Sequence, residues 1–159
     1  DVYFNATITA EKLFQKFGLK ILNQTIKSYP QDESLATYHQ KEEPNGRIIN
    51  WSWKTEMIER FLRAFTFDPF PSAKTFYDEH ELEIIFPIVY SKKVEKNFDY
   101  GEIIEVKKNK SLLIGTGDGV IEAPYYKLKI KDDNNSNYIT SKNTIIEKIN
   151  LRMGKLFRC

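Results

Sequence analysis

Residues 47–65 read RIINWSWKTEMIERFLRAF, and this stretch holds both tryptophans of the chain, Trp51 and Trp53. The apolar residues that follow recur at steps of three and four, which predicts an amphipathic helix. They are Met57, Ile58, Phe61, Leu62 and Phe65. Alternation places Trp51 and Trp53 on one side of an extended segment that leads into this helix. A pair of aromatic anchors for the helix is the favoured interpretation, and a stacking platform for a base is the alternative.

Downstream of the helix the sequence pattern changes to period two with β-branched residues. It predicts strands over 74–78, 81–90, 100–107, 111–116 and 119–131, then a loop over 132–137 and a short helix within 140–150. Five short strands at hairpin spacing predict a small antiparallel β-barrel of the OB type. The glycine-rich stretch GTGDG at 115–119 is interpreted as a hairpin turn, because an anion-binding loop needs a following helix and a strand pattern follows here.

Upstream of the tryptophans, the alternation over 2–8 predicts a strand, and an apolar face over 10–29 predicts a helix. Residues 31–50 are polar and contain the turn signal Pro44-Asn45-Gly46, so they are expected to form a connector with at most a short extended piece at 36–39. The chain starts without methionine and with the alternation already running, which suggests a portion of a longer protein.

Composition limits the possible functions of the chain. Its 159 residues are 41% hydrophobic, enough for a packed core, and its net charge is +2. Lysines and aromatics interleave around 87–108 and 125–131, but nearby acids dilute the positive charge that nucleic acid would require. The single cysteine, Cys159, and the two histidines, His39 and His80, are too few for a structural zinc site. Both histidines are interpreted as solvated loop residues. With neither a signal peptide nor a membrane span in the pattern, a cytoplasmic protein is expected.

The segment 36–73 resembles the junction between the two parts of the folate-dependent formyltransferases, the group of methionyl-tRNA and sugar N-formyltransferases. In that family an ATY element leads through DGRIDW to a helix that ends in RAF, followed by a PFPGA-like turn. The matching residues here are Ala36, Thr37, Tyr38, Gly46, Arg47, Ile48, Trp51, Arg63, Ala64, Phe65, Pro69, Pro71 and Ala73. The sequence departs from the pattern at Asn50, where aspartate is usual, and at Ser72, where glycine is usual. Residues 101–123 and the C-terminal tail are similar to the family's barrel and closing helix.

The resemblance implies an α+β fold with three parts. Residues 1–30 would be a strand and helix from the end of a Rossmann-like catalytic domain, residues 31–50 a linker, and residues 51–159 a C-terminal region with a helix and an OB-like antiparallel barrel. The family's catalytic Asn-x-His pair and aspartate belong to the Rossmann-like domain. No residue of this chain matches them, so no catalytic residue is expected here and the chain alone is expected to be inactive.

By the same resemblance, the full-length protein would transfer a formyl group from 10-formyltetrahydrofolate to an amine, with the folate bound outside these residues. The near-neutral charge disfavours an RNA acceptor, and the close spacing of Trp51 and Trp53 resembles the sugar-formylating branch of the family, which implies a nucleotide-linked amino sugar as the acceptor. Methionyl-tRNA is the alternative acceptor, and an OB-like binding module without catalysis is a second alternative. Substrate contacts are expected at Arg47, Asn50 and Trp53, no metal site is expected, and a homodimer is plausible by resemblance.

Overall fold

The computed structural model describes residues 2–38, 43–67, 69–91, 97–130 and 137–158. The chain divides into two compact units, Asp1–Gln40 and Lys41–Cys159. The limits predicted for the catalytic end, linker and C-terminal region stay predictions, and residues 43–50 of the predicted linker lie in the second unit.

The first unit is dominated by one helix, α1 (Val2–Leu22), followed by a 3₁₀ turn at Glu33–Leu35. The predicted strand over 2–8 is therefore wrong. A strand needs a neighbour for its backbone N–H and C=O groups, and no strand is described in this unit, whereas a helix satisfies them within one segment. Two threonines of this helix bond back to the preceding turn: Thr7 Oγ1 donates to the Tyr3 carbonyl oxygen and Thr9 Oγ1 to that of Asn5.

Helix α1 also ends earlier than the predicted 29. Gln24 adopts a left-handed backbone with φ 55°. The N–H of Thr25 bonds the Lys20 carbonyl at 2.9 Å, and the N–H of Gln24 bonds that of Ile21 at 3.0 Å. This is the hydrogen-bond pattern of a Schellman cap, so the end is set by backbone geometry at Gln24 and not by Pro30.

The described residues of the second unit form two helices, two four-stranded antiparallel sheets and a 3₁₀ turn at Pro44–Arg47. The helices are α2 (Thr55–Ala64) and α3 (Lys142–Lys148). The strands are β1 (Ala73–Tyr77), β2 (His80–Ile85), β3 (Val89–Ser91), β4 (Ile103–Val106), β5 (Leu112–Gly115), β6 (Val120–Ala123), β7 (Tyr125–Ile130) and β8 (Asn137–Ile139). The first sheet has the order β1-β2-β7-β8 and the second has the order β3-β6-β5-β4.

Two continuous stretches of chain carry the fold from one sheet to the other. β2 pairs with β7 in the first sheet, and their continuations β3 and β6 pair in the second. Pro87 and Pro124 lie at the two crossing points, and proline has no N–H to donate to a ladder. Each of these long strands therefore divides between the two sheets at its proline.

The C-terminal tail connects the two sheets a second time. Arg158 exchanges backbone hydrogen bonds with Phe76 of β1 at 2.8 and 3.2 Å. On the other side of the tail, the N–H of Phe157 bonds the Gly101 carbonyl at 2.8 Å, and the N–H of Ile103 bonds that of Lys155 at 2.9 Å. The tail thus lies between β1 and β4, which are the edge strands of the two sheets.

The helices and the period-two strands of the second unit are largely as predicted. The GTGDG hairpin is confirmed, because β5 and β6 pair directly across it. Each of the predicted strands 81–90 and 119–131 is split in two, and β8 was missed. Asn137, assigned to the loop 132–137, begins β8, while 132–136 and His39 lie outside the described residues. The mixed helical and antiparallel architecture agrees with the predicted fold class, and the OB type stays a prediction.

Trp51 lies at the centre of the barrel closure and is 1% exposed. Its indole Nε1–H donates to Thr75 Oγ1 at 3.0 Å, and the Thr75 hydroxyl donates to the Arg158 carbonyl at 3.1 Å. The indole also stacks on Phe157, with ring centroids 5.8 Å apart. Trp51 is therefore the aromatic anchor expected from the sequence, and it joins the start of this unit to β1 and to the tail.

Gly101 permits this closure because it combines a φ of +79° with very close neighbours. A Cβ at Gly101 would lie 2.7 Å from the Phe157 carbonyl oxygen and 3.0 Å from Trp51 Cδ1. Gly154 has a similar φ, +76°, but a Cβ there would meet nothing within 4 Å. Alanine substitutions at the two glycines therefore distinguish the cost of backbone strain, which both share, from the cost of steric overlap, which arises only at Gly101.

We predict that Gly101→Ala lowers the free energy of unfolding more than Gly154→Ala, by at least about 2 kcal/mol. In both variants the new alanine is strained by its left-handed backbone conformation, and only Gly101→Ala also displaces the tail from Trp51. Urea denaturation of the two variants measures the difference. Equal losses would show that the contact between Gly101, Trp51 and Phe157 contributes little to stability.

Candidate functional site

The side chain of Trp53, one of the three predicted substrate contacts, packs against helix α2. Its ring meets Phe61 edge-on, with centroids 5.3 Å apart, and it is half-buried. Its carbonyl oxygen accepts the N–H of Gly117 at 2.9 Å. A Cβ at Gly117 would overlap the carbonyl oxygens of Ser52 and Trp53, so the hairpin turn packs directly on this backbone. The pairing with Phe61 gives Trp53 a structural role that does not need a ligand.

Asn50, the second predicted contact, forms a local turn ahead of helix α2. Its side-chain oxygen accepts the N–H of Ser52 at 3.0 Å and the Ser52 hydroxyl at 2.7 Å. Its carbonyl oxygen accepts the N–H of Trp53. This Asx turn fixes the direction in which the chain approaches the helix.

Arg47, the third predicted contact, points into the protein, and its side chain is only 11% exposed. Its Nε donates to Glu43 Oε2 at 2.9 Å and its Nη1 to the Ser72 carbonyl at 2.8 Å. Nη1 also lies 3.6 Å from Glu83 Oε1. The structure therefore places Arg47 in an ion-pair cluster, while Trp53 packs separately against Phe61.

Glu83 is the centre of this cluster, and its side chain is 0% exposed. Its Oε2 accepts from Lys127 Nζ at 2.9 Å and from the Ser72 N–H at 3.2 Å, and its Oε1 accepts from the Tyr138 hydroxyl at 2.8 Å. Lys127 also lies over the Tyr138 ring, 4.2 Å from the centroid. A carboxylate can be buried only when it is paired and hydrogen-bonded in this way.

Asp118 of the GTGDG turn caps helix α2. Its Oδ1 accepts the N–H of Thr55 at 2.7 Å and the Thr55 hydroxyl at 2.6 Å. The residue at the N-cap position, Lys54, makes no side-chain capping bond. The negative charge also complements the positive end of the helix dipole. Sequence reasoning missed this cap, because the capping residue lies about sixty positions from the helix it serves.

A cluster of basic side chains forms one edge of the barrel at the β4–β5 turn, and we call it the basic rim. It consists of Lys108, Lys110 and Lys142. Lys142 Nζ donates to the Asn109 carbonyl at 2.8 Å and approaches the Pro124 carbonyl at 3.4 Å. The Tyr126 hydroxyl donates to the Lys110 carbonyl at 2.9 Å, which fixes the turn on the barrel.

The charges of the basic rim have no carboxylate partner among the residues that the structure describes. By contrast, Lys107 in the same turn is paired with Glu122 at 2.5 Å. Their hydrogen bond raises the pKa of Lys107 and lowers that of Glu122. Tyr125, at the start of β7 and next to Pro124, is an exposed aromatic residue. Exposed cations such as Lys108 and Lys110 suit the phosphates of a nucleic-acid backbone, and an exposed aromatic ring suits an unstacked base.

A concave feature lies at the C-terminal end of β7. It is a cleft of about 340 Å³ lined by Glu79, His80, Glu81, Leu128, Lys129, Ile130 and Lys148. His80 is exposed at the start of β2. Within the described ranges, no group of three or more His, Cys, Asp or Glu side chains could hold a metal ion.

A comparison with protein families identifies the second unit. The family model described as formyl transferase, C-terminal domain, matches residues 41–140. The chain belongs to this family. The match covers most of the second unit, including helix α2, the GTGDG hairpin, Glu83 and part of the basic rim, and it confirms the resemblance seen in residues 36–73.

Two bacterial relatives of the chain carry the same name. A methionyl-tRNA formyltransferase of Treponema denticola is 34% identical over 102 residues, which are 62% of this chain and 31% of that protein. The protein of the same name from Fervidobacterium nodosum is 28% identical over 123 residues, 74% of this chain and 37% of that protein. The chain thus spans about a third of the length of these relatives.

Solved structures with the same fold include HypX from Aquifex aeolicus. One HypX variant superposes with a TM-score of 0.57 at 19% identity, covering 82% of this chain and 22% of the neighbour. A HypX structure in complex with tetrahydrofolic acid has a TM-score of 0.56 at 17% identity, over 87% of this chain and 25% of that one. At these identities the likeness establishes the fold.

None of the helices in the described part of this formyltransferase chain is long and apolar enough to cross a membrane.

We predict a pH-dependent contribution of Tyr138 to stability. Desolvation, together with its hydrogen bond to Glu83, raises the pKa of Tyr138 to about 12 in the folded protein. Since the unfolded pKa is near 10, the contribution is complete below pH 10 and is lost as the pH rises from 10 towards 12. Tyr138→Phe should cost about 1 kcal/mol at pH 8, and this difference from the native protein should shrink above pH 10.

Urea denaturation of the two proteins between pH 8 and 12 measures that difference. Tyr126→Phe is the companion variant, because burial raises the pKa of Tyr126 to about 12 as well, without contact to Glu83. A difference that stays constant or grows above pH 10 would contradict the raised pKa of Tyr138.

Proposed function

We propose that the chain is the acceptor-binding C-terminal part of a methionyl-tRNA formyltransferase. The observation that carries this proposal is the similarity to enzymes of that name over 62% and 74% of the chain. The basic rim supports it with surface chemistry that an RNA acceptor requires. The full-length protein would carry a Rossmann-like catalytic domain ahead of an OB-like barrel and act in the cytoplasm.

The low net charge of the chain is compatible with an RNA acceptor, because its charges are not evenly distributed. Glu83, Glu81 and Glu122 each lie in an ion pair with a cation of a neighbouring strand or segment. These pairs neutralise the sheets, whereas Lys108 and Lys110 of the basic rim are exposed and Lys142 is half-buried. Phosphate contacts release condensed counterions, so even three lysines contribute substantially to RNA affinity.

In the proposed reaction, folate supplies the formyl group and the aminoacyl amine accepts it. A neutral amine must attack the formyl carbon, a base must accept its proton and donors must stabilise the oxyanion. We assign none of these chemical steps to the described residues. Their proposed part is to bind the acceptor RNA: Lys108, Lys110 and Lys142 contact phosphates, and Tyr125 offers a stacking surface for a base.

A nucleotide-linked amino sugar, expected from the spacing of Trp51 and Trp53, is the alternative acceptor. The structure gives both indoles a packing role, against Phe157 and Phe61, which weakens the observation that favoured a sugar. The homologues also carry the name of the RNA enzyme. The sugar is therefore the competing acceptor in the experiment that follows.

We predict that the full-length protein formylates methionyl-tRNA with 10-formyltetrahydrofolate, and that Lys108→Gln/Lys110→Gln weakens tRNA binding. Each lost phosphate contact should reduce the slope of log affinity against log salt by about 0.7 to 0.9, so the double variant should lose about 1.5. Single-turnover transfer assays and binding titrations between 50 and 200 mM salt measure both effects.

Lys155→Gln is the matched control, because Lys155 pairs with Asp78 next to the opposite end of β2. It should leave the salt slope unchanged. Formylation of a nucleotide-linked amino sugar but not of methionyl-tRNA would contradict the proposed acceptor. An unchanged slope in the double variant would contradict the proposed role of the basic rim.

A further inference from the structure

The strained segment through which the chain reaches the barrel, residues 43–49, is held by the buried carboxylate of Glu83. We call these residues the connector segment. Asn45, Gly46 and Arg47 are three consecutive residues with positive φ, at 50°, 57° and 63°. For non-glycine residues this conformation is strained, and it persists only where the surroundings impose it.

The side chain of Arg47 provides that constraint. It lies at the end of the left-handed turn and reaches the Ser72 carbonyl and the carboxylate of Glu83. Immediately after it, the N–H of Ile49 bonds the Lys74 carbonyl at 2.8 Å, so the chain continues alongside β1. Ile49 itself is buried in the core. Arg47 and Ile49 therefore attach the connector segment to the first sheet at two successive points.

The position of Glu83 on β2 is unusual for a buried carboxylate. It alternates with the core residues Leu82 and Ile84, so its side chain is on the face of β2 that turns away from the barrel core. A carboxylate on an outer face is normally solvated, yet this one is fully buried under Arg47, Lys127 and Tyr138. Among the hydrophobic and polar side chains that are buried in the described ranges, it is the one that carries a charge.

We propose that Glu83 is a positioning residue whose buried carboxylate latches the connector segment onto the first sheet. The latch draws one partner from the connector segment (Arg47), one from β7 (Lys127) and one from β8 (Tyr138). Loss of the carboxylate charge leaves Lys127 without its counter-ion and Arg47 paired with Glu43 alone, and it releases the left-handed turn. Resting on the proposed function, we infer that the latch sets how the barrel presents the acceptor for formyl transfer.

The first test is hydrogen exchange of the full-length protein, which does not depend on the identity of the acceptor. Glu83→Gln and Arg47→Met should each speed exchange of the Gly46, Ile48 and Ile49 amides about 10- to 100-fold, while Ile84 and Leu128 in the core change far less. The matched control is Glu122→Gln, which breaks the equivalent outer-face pair with Lys107 and should leave these amides unchanged. The double variant Glu83→Gln/Arg47→Met should speed the exchange of these amides no more than the stronger of the two single variants does.

Unchanged exchange at residues 43–49, or equal acceleration throughout the core, would overturn the latch. If Glu83→Gln fails to fold, Arg47→Met decides the matter, because it leaves Glu83 paired with Lys127.

The second test is steady-state transfer by the full-length enzyme. A positioning role predicts a fall of kcat of about 10- to 100-fold in both variants, with little change in tRNA affinity. Lost affinity with kcat intact would overturn the positioning role and leave the proposed function standing.

Discussion

The barrel depends on one side chain that meets three distant parts of the sequence. The indole of Trp51 donates to Thr75 in β1, and Thr75 in turn donates to the backbone of Arg158 in the C-terminal tail. The same ring stacks on Phe157 and lies against Gly101, ahead of β4. A buried indole N–H needs an acceptor, so this hydrogen-bond chain is required for the ring to be buried at all. The closure of the two sheets by the tail follows from it.

Electrostatics then divides the surface of the barrel into a neutral part and a basic part. Ion pairs across neighbouring strands cancel most charges on the sheets, and Glu83 converts one such set into an attachment point for the chain entering the barrel. The lysines of the basic rim escape this cancellation because they lie at a turn and at the start of a helix, away from the cross-strand carboxylates. A net charge of +2 therefore describes neither region.

Local patterns in the sequence predicted what depends on local physics. Helix α2, the period-two strands and the GTGDG hairpin follow from spacing and turn chemistry. The prediction of helix α2 is confirmed because its apolar residues all lie on one face. Residues 2–8 were misassigned because apolar and polar residues alternate there, although the segment is helical and Thr7 bonds back to the preceding turn. The cap of α2 by Asp118, the tail between β1 and β4, and the burial of Glu83 join residues far apart in sequence. No local sequence pattern contains these contacts. The resemblance in residues 36–73 indicated a junction between two parts of the protein but none of its side-chain contacts.

The three residues expected to contact substrate illustrate the same limit for the site. Arg47, Asn50 and Trp53 stand out in the sequence because the junction is distinctive, but their side chains are engaged in an ion cluster, an Asx turn and an aromatic pair. The proposed division between a structural tryptophan stretch and a basic rim that binds RNA is tested most directly by NMR, with ¹⁵N-lysine and ¹⁵N-tryptophan labels in the full-length protein titrated with an acceptor-stem RNA. The amides of Lys108 and Lys110 should shift while both indole N–H signals stay in place. A shift of the Trp53 indole without any change at the two lysines would contradict it.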